Sequence, residues 1–383
     1  MTHQQAPRAQ HAGRNSEAST PAEHPAPGRV AVAMSGGVDS SVAAALLAKQ
    51  GHQVVGVHMK LHDAPDAERR DKSCCSLDDA LDARQVCGKL GIPFYVFDLK
   101  NQFATSVVDY FVDAYQQGRT PNPCVMCNQA VKNATLLAMV RDIGCDYLAT
   151  GHYARTRQDP ASGRWQMLRA KDLAKDQTYF LWGTPAEELP WLLYPLADLE
   201  KPAARAHANK LGLITWDKPD SQEVCFVPKD YRAFLEGRMA TPPLPGPMVD
   251  LAGQELGTHR GLPFYTIGQR RGLGISADRP LYVVALDVPN NRVVLGDEAD
   301  LYASAMGVRA VNWVSIAPPT GALEAVVKVR HAHAGTPATL TPGNDGAWVV
   351  RFHEPVRAIT PGQAAAFYDG DVLLGGGWIE GAP

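Results

Sequence analysis

The sequence predicts an α/β protein in which a parallel sheet opens the chain and an all-β unit closes it. Three observations lead there. Up to about residue 150, apolar runs of strand length alternate with helix-length stretches, the pattern of βαβ units. The pattern breaks near Trp216. From Leu281 onward, short apolar runs are joined by two-residue turn signals. At ~150 residues per domain the 383 residues make two or three domains, and a hydrophobic fraction of 45% with 20% charged excludes wholesale disorder.

The elements follow in order. Residues 1–28 are polar, Pro-rich and without the apolar core of a signal peptide, so they read as a disordered extension. Val30–Met34 is a short apolar strand, followed by a Gly-containing turn. Ser40–Gln50 is an Ala/Leu-rich helix stopped by Gly51. Gln53–Met59 is a second strand. Ser76–Leu90 is a helix with Ala80, Ala83, Cys87 and Leu90 on one face, a Ser76/Asp79 capping box and Gly91 as its stop. Phe94–Phe97 is a third strand, Phe103–Tyr115 and Gln129–Arg141 are helices, and Asp146–Thr150 is a fourth strand running into Gly-His-Tyr. The Pro/Gly stretch 241–247 is a linker. Asn290-Asn291 and Asp369-Gly370 are hairpin turns. The expected division is a first unit over 29–216, a small central unit over 217–280 and a β unit over 281–383. No stretch reaches the ~18–20 apolar residues of a membrane helix.

Chemistry concentrates in two places. Ser35-Gly-Gly-Val-Asp-Ser-Ser41 lies between the first strand and the first helix. Its glycines allow close backbone approach to an anion, and the helix start offers open N–H groups and a favourable dipole. No Walker lysine is present; Asp39 suits a magnesium ion or an oriented serine. The bland reading is a Gly/Ser turn that caps a helix. The seven cysteines are too few and too odd in number for a disulfide scaffold. Cys124 and Cys127 form a C-x-x-C ahead of a predicted helix, where a thiolate is favoured, and Cys225 stands alone in DSQEVCFV. Cys74-Cys75 read either as half of a metal site with the C-x-x-C or as loop passengers; Cys87 and Cys145 fall inside element patterns. Gln269–Gly274 is a basic, glycine-rich loop suited to phosphate or to a solvated turn. Trp313, Trp348, Phe352, Phe367 and Trp378 read as β-core. A net charge of −3 excludes a basic-tailed nucleic-acid coat protein but not a local basic groove.

Seven strings carry a resemblance over residues 29 to about 380: AMSGGVDSSV, GRTPNPCVMCN, LATGHYAR, KDQTYFLW, DSQEVCFV, YTIGQRRGLGI and ITPGQAAAFYDGDVLLGGGWI. The chain resembles the bacterial tRNA-specific 2-thiouridylases (MnmA-type) of the PP-loop ATP pyrophosphatase superfamily. The resemblance implies a Rossmann-like, adenine nucleotide alpha hydrolase-like PP-loop domain, a small central domain carrying a persulfide cysteine, and a C-terminal β-barrel that contacts tRNA. It implies ATP-dependent 2-thiolation of the wobble uridine in tRNAs for Glu, Gln and Lys. ATP adenylates the 2-carbonyl, and sulfur arrives as a persulfide on Cys225. Cys127 is the implied nucleophile, either releasing hydrosulfide with formation of a Cys127–Cys225 disulfide or resolving the persulfide directly.

The implied ATP site comprises Ala33, Met34, Ser35, Gly36, Gly37, Val38, Asp39, Ser40, Met59 and Gly151, with Mg2+ and no resident metal. The target base is expected at Asn122, Pro123 and Cys124. Further tRNA contacts are expected at His152, Lys175, Asp176, Gln177, Arg330, His331 and Gln363. Implied partners are tRNA and a sulfur donor protein, a cysteine desulfurase or relay; the protein is expected to be a cytoplasmic monomer. Cys124 stands where some relatives carry a proposed acid/base Asp, a role not transferred to a thiol, and Arg330-His331 has a Tyr in some relatives. Three competing functions remain at the level of sequence: an iron–sulfur thiolase, a small-molecule amidating synthetase, and an RNA-binding module on a degenerate ATP fold.

Overall fold

Apolar runs with no polar alternation can be buried on both faces, and the first sheet is built from them. In the computed structural model, which describes residues 27–62, 77–220, 224–227, 230–239 and 241–381, the chain opens with β1 (Arg29–Ala33), α1 (Val38–Lys49), β2 (Gln53–Lys60), α2 (Leu77–Leu90) and β3 (Phe94–Asp98). Two longer helices follow, α3 (100–116) and α4 (123–142). Next come β4 (Tyr147–Ala149), a hairpin of β5 (Ala154–Gln158) and β6 (Trp165–Arg169), β7 (Leu192–Leu193) and α5 (Lys201–Lys210). Strands β3-β2-β1-β4-β7 form one sheet with every pair parallel. The loop after β1 therefore emerges at the carboxyl end of a central strand, where open α/β sheets bind ligands.

Helix α4 starts at Pro123, six residues before the expected Gln129. The Asn122 side chain accepts from the backbone N of Val125 at 3.4 Å, and Pro123 occupies the first helical position. Pro-Asn-Pro is thus a cap and a helix start rather than a free turn. The C-x-x-C lies inside the helix, not ahead of it. From Cys127 to Leu136 the helix widens to a π-helical winding, and the Thr135 hydroxyl donates to the carbonyl of Ala130, five residues back. Helix α1 begins two residues earlier than expected, at Val38. Ser76, Cys74 and Cys75 lie outside the described residues. The Ser76/Asp79 cap therefore falls partly outside them; Asp79 also receives Lys218 at 2.6 Å.

After α6 (Tyr231–Glu236), β8 (Gly246–Val249) and β9 (Glu255–His259) pair with β10 (Tyr282–Asp287) and β11 (Arg292–Gly296) in the order β10-β11-β8-β9. The 281–296 hairpin, expected in the C-terminal unit, joins this central sheet because Val293 and Val294 register with Met248 and Val249. The remaining strands are β12 (Tyr302–Trp313), β13 (Leu323–Lys328), β14 (Thr336–Pro342), β15 (Trp348–Arg357), β16 (Ala364–Asp369) and β17 (Val372–Gly381). They run β12-β15-β14-β13-β16-β17 and close through β12–β17, an antiparallel barrel without free edges among these six. Hairpin β5–β6, which was not read from the sequence, attaches to this barrel: Val372 and Leu373 register with Leu168 and Met167.

Trp313, Trp348, Phe352 and Phe367 fill the barrel as expected. Trp378 belongs to a different cluster, between barrel and first domain, with its ring 5.2 Å from Trp182 and 5.6 Å from Tyr110. Gly376 makes this contact possible: a Cβ there would stand 2.5 Å from Cγ of Trp182.

Candidate active site

The phosphate loop is stiffened by its own hydroxyls. Ser40 Oγ accepts from the backbone N of Ser35 at 3.2 Å and donates to the carbonyl of Gly37 at 3.3 Å, which Ser41 Oγ also reaches at 2.7 Å. Ala33, Met34, Val38 and Ser40 are buried, while Ser35 is exposed and Asp39 half-buried. The N-cap of α1 is Gly37, which has no side chain to accept from the helix's first amides. Met59 lies buried inside β2, in register with Phe97. Gly151 brings its loop against α1: a Cβ there would stand 2.7 Å from the backbone N of Ser40 and 2.9 Å from the carbonyl carbon of Asp39. Gly151, expected at the ATP site, thus packs closely on the protein's own loop.

Two lysines that the sequence reading missed converge here. Lys201, at the start of α5, donates to Asp39 Oδ2 at 2.7 Å, and Tyr153 OH donates to Asp39 Oδ1 at 2.9 Å. Lys218 donates to the carbonyl of Gly36 at 3.0 Å and to Asp79 and Asp82 at 2.6 Å. Lys201 also meets Asp220 at 2.8 Å, and Asp220 takes Lys175 and Arg205 at the same distance. Burial alone would raise the Asp220 pKa; the bonds from Lys175 and Lys201 outweigh it and hold the carboxyl down at about 2. Local spacing carries no sign of these partners.

The 175–177 string is accordingly tied up within the molecule. Asp176 is buried, accepting from the backbone N of Ala170 and from Thr178 Oγ1, and burial pushes its pKa up. Gln177 Oε1 accepts from the backbone N of Tyr153 at 2.9 Å. His152 pairs through Nδ1 with Thr150 Oγ1 at 2.7 Å and through Nε2 with Lys132 Nζ at 3.5 Å. Burial, with the Lys132 charge behind it, lowers the His152 pKa well below the usual histidine range. His331 is exposed, stacks on Phe180 with ring centres 4.7 Å apart, and bonds to the carbonyl of Asp176.

Arg330 and Gln363 line a hollow of about 280 Å³ whose other walls come from Thr120, Gly268 and Arg357, so all three parts of the chain meet there. Gln363 Nε2 donates to the carbonyls of Thr120 and Pro121, both at 3.1 Å. This holds the Thr-Pro-Asn-Pro segment against the barrel. Asn122 and Pro123 are buried beside it, and Cys124 is exposed on the first turn of α4.

Cys127 is buried in the cluster formed by α3, α4 and their neighbours, and Cys225 packs against that same cluster. Phe226 fixes the Cys225 segment, with its ring 5.5 Å from Phe103, 5.2 Å from Phe111 and 5.4 Å from Phe234. Cys87 and Cys145 are core residues, as expected. Burial raises both thiol pKa values, that of Cys87 to about 11. Among the described residues no three His, Cys, Asp or Glu side chains gather as a metal-binding group, and none of the helices is long and apolar enough to cross a membrane.

Three family descriptions match successive parts of the chain: a tRNA methyl transferase HUP domain over residues 28–229, a tRNA methyl transferase PRC-barrel domain over 232–297, and an aminomethyltransferase beta-barrel domain over 303–379. The tRNA-specific 2-thiouridylase MnmA of Symbiobacterium thermophilum is 47% identical over 360 residues, 92% of each chain. Those of Geobacter metallireducens and Magnetococcus marinus are each 48% identical over 92% of this chain and 97% and 99% of their own. Many nucleotide-binding proteins share a glycine-serine loop, but here the likeness runs through the loop, both cysteine segments, the central sheet and the closing barrel, and it makes the chain a member of the tRNA-specific 2-thiouridylase MnmA family.

Proposed function

We propose that this protein carries out ATP-dependent 2-thiolation of the wobble uridine in tRNAs for Glu, Gln and Lys. The observation that carries the reading is that Cys127 and Cys225, remote in sequence, border one apolar cluster in a fold that also presents a Ser/Gly phosphate loop. In this scheme the uridine 2-oxygen attacks the α-phosphorus of ATP and pyrophosphate leaves. Cys127 thiolate attacks the inner sulfur of a Cys225 persulfide. That S–S bond breaks, hydrosulfide departs, and a Cys127–Cys225 disulfide forms. Hydrosulfide adds at C2, and AMP leaves with the former carbonyl oxygen. An external dithiol then reopens the disulfide.

ATP would lie over Ala33–Ser40, with Met59 and Gly151 at its edges. The base would lie by Asn122, Pro123 and Cys124, and the tRNA over His152, Lys175, Asp176, Gln177, Arg330, His331 and Gln363. Of these, Cys124 and His331 are exposed. The exposed Arg270 and Arg271 add positive charge suited to phosphate contacts. Asp39 fits a magnesium ion carried in with the triphosphate, since each of its oxygens keeps a lone pair beyond the bonds from Tyr153 and Lys201. Such an ion would neutralise charge on the phosphates. A sulfur donor protein and a cytoplasmic, monomeric state belong to the same proposal, as does a division of labour among a first unit over 29–216, a central unit that takes in the 281–296 hairpin, and the C-terminal barrel.

The test is nucleoside mass spectrometry after incubating the protein with ATP, Mg2+, a persulfide source and unmodified glutamate tRNA. Wild type is expected to yield 2-thiouridine, and Cys225→Ala and Cys127→Ala none. Full activity of Cys225→Ala with persulfide as the only sulfur source would refute the carrier assignment.

A further inference from the structure

The segment leading to Cys225 is fastened to the phosphate loop at three points. Thr215 Oγ1 donates to Ser41 Oγ at 3.1 Å. Lys218 Nζ donates to the carbonyl of Gly36 at 3.0 Å. The third link is ionic: Asp39 on the loop meets Lys201, and Lys201 meets Asp220. The Lys201 side chain is only 9% exposed, and these two carboxylates are the anionic partners that it meets.

Asp220 precedes Cys225 by five residues, a chain length that spans at most about 17 Å. Beyond Cys225, Phe226 is sunk among Phe103, Phe111 and Phe234. Along the chain, Cys225 therefore lies between two residues, Asp220 and Phe226, that are held in different ways. Phe226 is held by packing that does not depend on ligand. Asp220 is held by charges shared with the loop, and those charges change when a polyanion arrives. A triphosphate at the loop competes with Asp39 and Asp220 for Lys201, because attraction between charges a few ångströms apart is strong where water is excluded.

We infer that Asp220 and Lys201 are positioning residues that relay nucleotide occupancy at the phosphate loop to the placement of Cys225. The inference rests on the proposed reading of the loop as the ATP site and of Cys225 as the sulfur carrier. Nucleotide binding draws Lys201 toward phosphate, loosens one of the three cationic partners of Asp220, and changes the exposure of the thiol. Sulfur is thereby kept from release until ATP is in place. The depressed Asp220 pKa keeps that carboxylate charged throughout the working range of pH.

The experiment follows alkylation of Cys225 by iodoacetamide, quantified by peptide mass spectrometry, with and without saturating non-hydrolysable ATP analogue; calorimetry on the same samples measures analogue binding. In wild type the analogue is expected to change the Cys225 rate by about fivefold or more, the low end of measured site-to-site couplings. In Asp220→Asn and, separately, in Lys201→Met, the bound analogue is expected to leave that rate nearly unchanged. Asp220→Glu, which keeps the charge, should recover part of the response, a recovery that a merely structural role would not produce.

Retention of the full response in both Asp220→Asn and Lys201→Met overturns the relay. So does a wild-type rate indifferent to an analogue that demonstrably binds. If wild type fails to bind the analogue, the proposed function falls and the relay with it, an outcome that the calorimetry separates from the others. Should Asp220→Asn not fold, Lys201→Met decides alone, because it leaves Asp220 paired with Lys175 and Arg205.

Discussion

Gly151 shows how little room the site leaves. Any side chain there would press on the backbone of Asp39 and Ser40, and neither atom belongs to a flexible group that can swing aside. Gly151→Ala is expected to destabilise the protein by ~1–3 kcal/mol, as overpacking of a filled site does. It should also weaken ATP binding, because the start of α1 is the part displaced. Thermal unfolding and calorimetric titration of the same variant would check both; an unchanged ATP affinity would show that the loop yields without cost. The same scale explains Asp39. Its two oxygens already accept from Tyr153 and Lys201, so the loop's one carboxylate is held in place before any ligand arrives.

At the scale of elements, α4 is the helix that matters most for the thiols. Asn122 caps it, Pro123 starts it, and Cys127 opens its π-wound stretch. A widened turn inside an α-helix is commonly found at functional sites, and here it begins at the proposed nucleophile. Asn122→Ala is expected to cost ~1 kcal/mol through the lost cap and to reduce thiolation more steeply, since the first turn carries Cys124 and sets the direction of Cys127. Asn122→Asp keeps the acceptor and should keep the stability. Denaturant unfolding and 2-thiouridine yield, measured side by side, distinguish cap from base contact. The sequence made this helix partly legible: its pattern marked 129–141, while the Asn122-Pro123 start ahead of it was not read as helix. Gln363 holds the carbonyls of Thr120 and Pro121, just ahead of that cap, from the far side of the chain, a contact that no local spacing announces.

At the scale of the whole molecule, the barrel is not an appendage. Hairpin β5–β6 of the first domain extends the barrel's own sheet, and Asn312 of β12 donates to the carbonyls of Trp182 and Thr184 at 2.7 and 2.8 Å. Trp378 and Trp182 pack edge to face across the junction at 76°. Trp378→Ala is expected to lose ~3–5 kcal/mol, the usual range for a buried large aromatic, and to lower the thermal midpoint. Trp378→Phe should restore much of it. A small effect from the alanine variant would mean that the hydrogen bonds of Asn312 and the β6–β17 pairing hold the barrel without the aromatic contact.

The sequence by itself determined the α/β-then-β order and the strands around the phosphate loop, and it singled out that loop and the two cysteine segments as candidates. These depend on periodicity and on groups a few residues apart, which a linear reading can see. Tertiary structure decided which charges meet. Lys201 lies 162 positions from Asp39, and nothing local sets it apart from any other lysine near a helix start. Only closure of the sheet brings its ammonium within an ion-pair distance, where Coulomb attraction becomes large. The same holds for Lys175-Asp-Gln, whose groups turn inward onto Asp220, Thr178 and Tyr153, and for the 281–296 hairpin, whose two strands were legible but whose partner sheet was not. A strand's alternation says that it has neighbours; the register that names them is set by the rest of the fold.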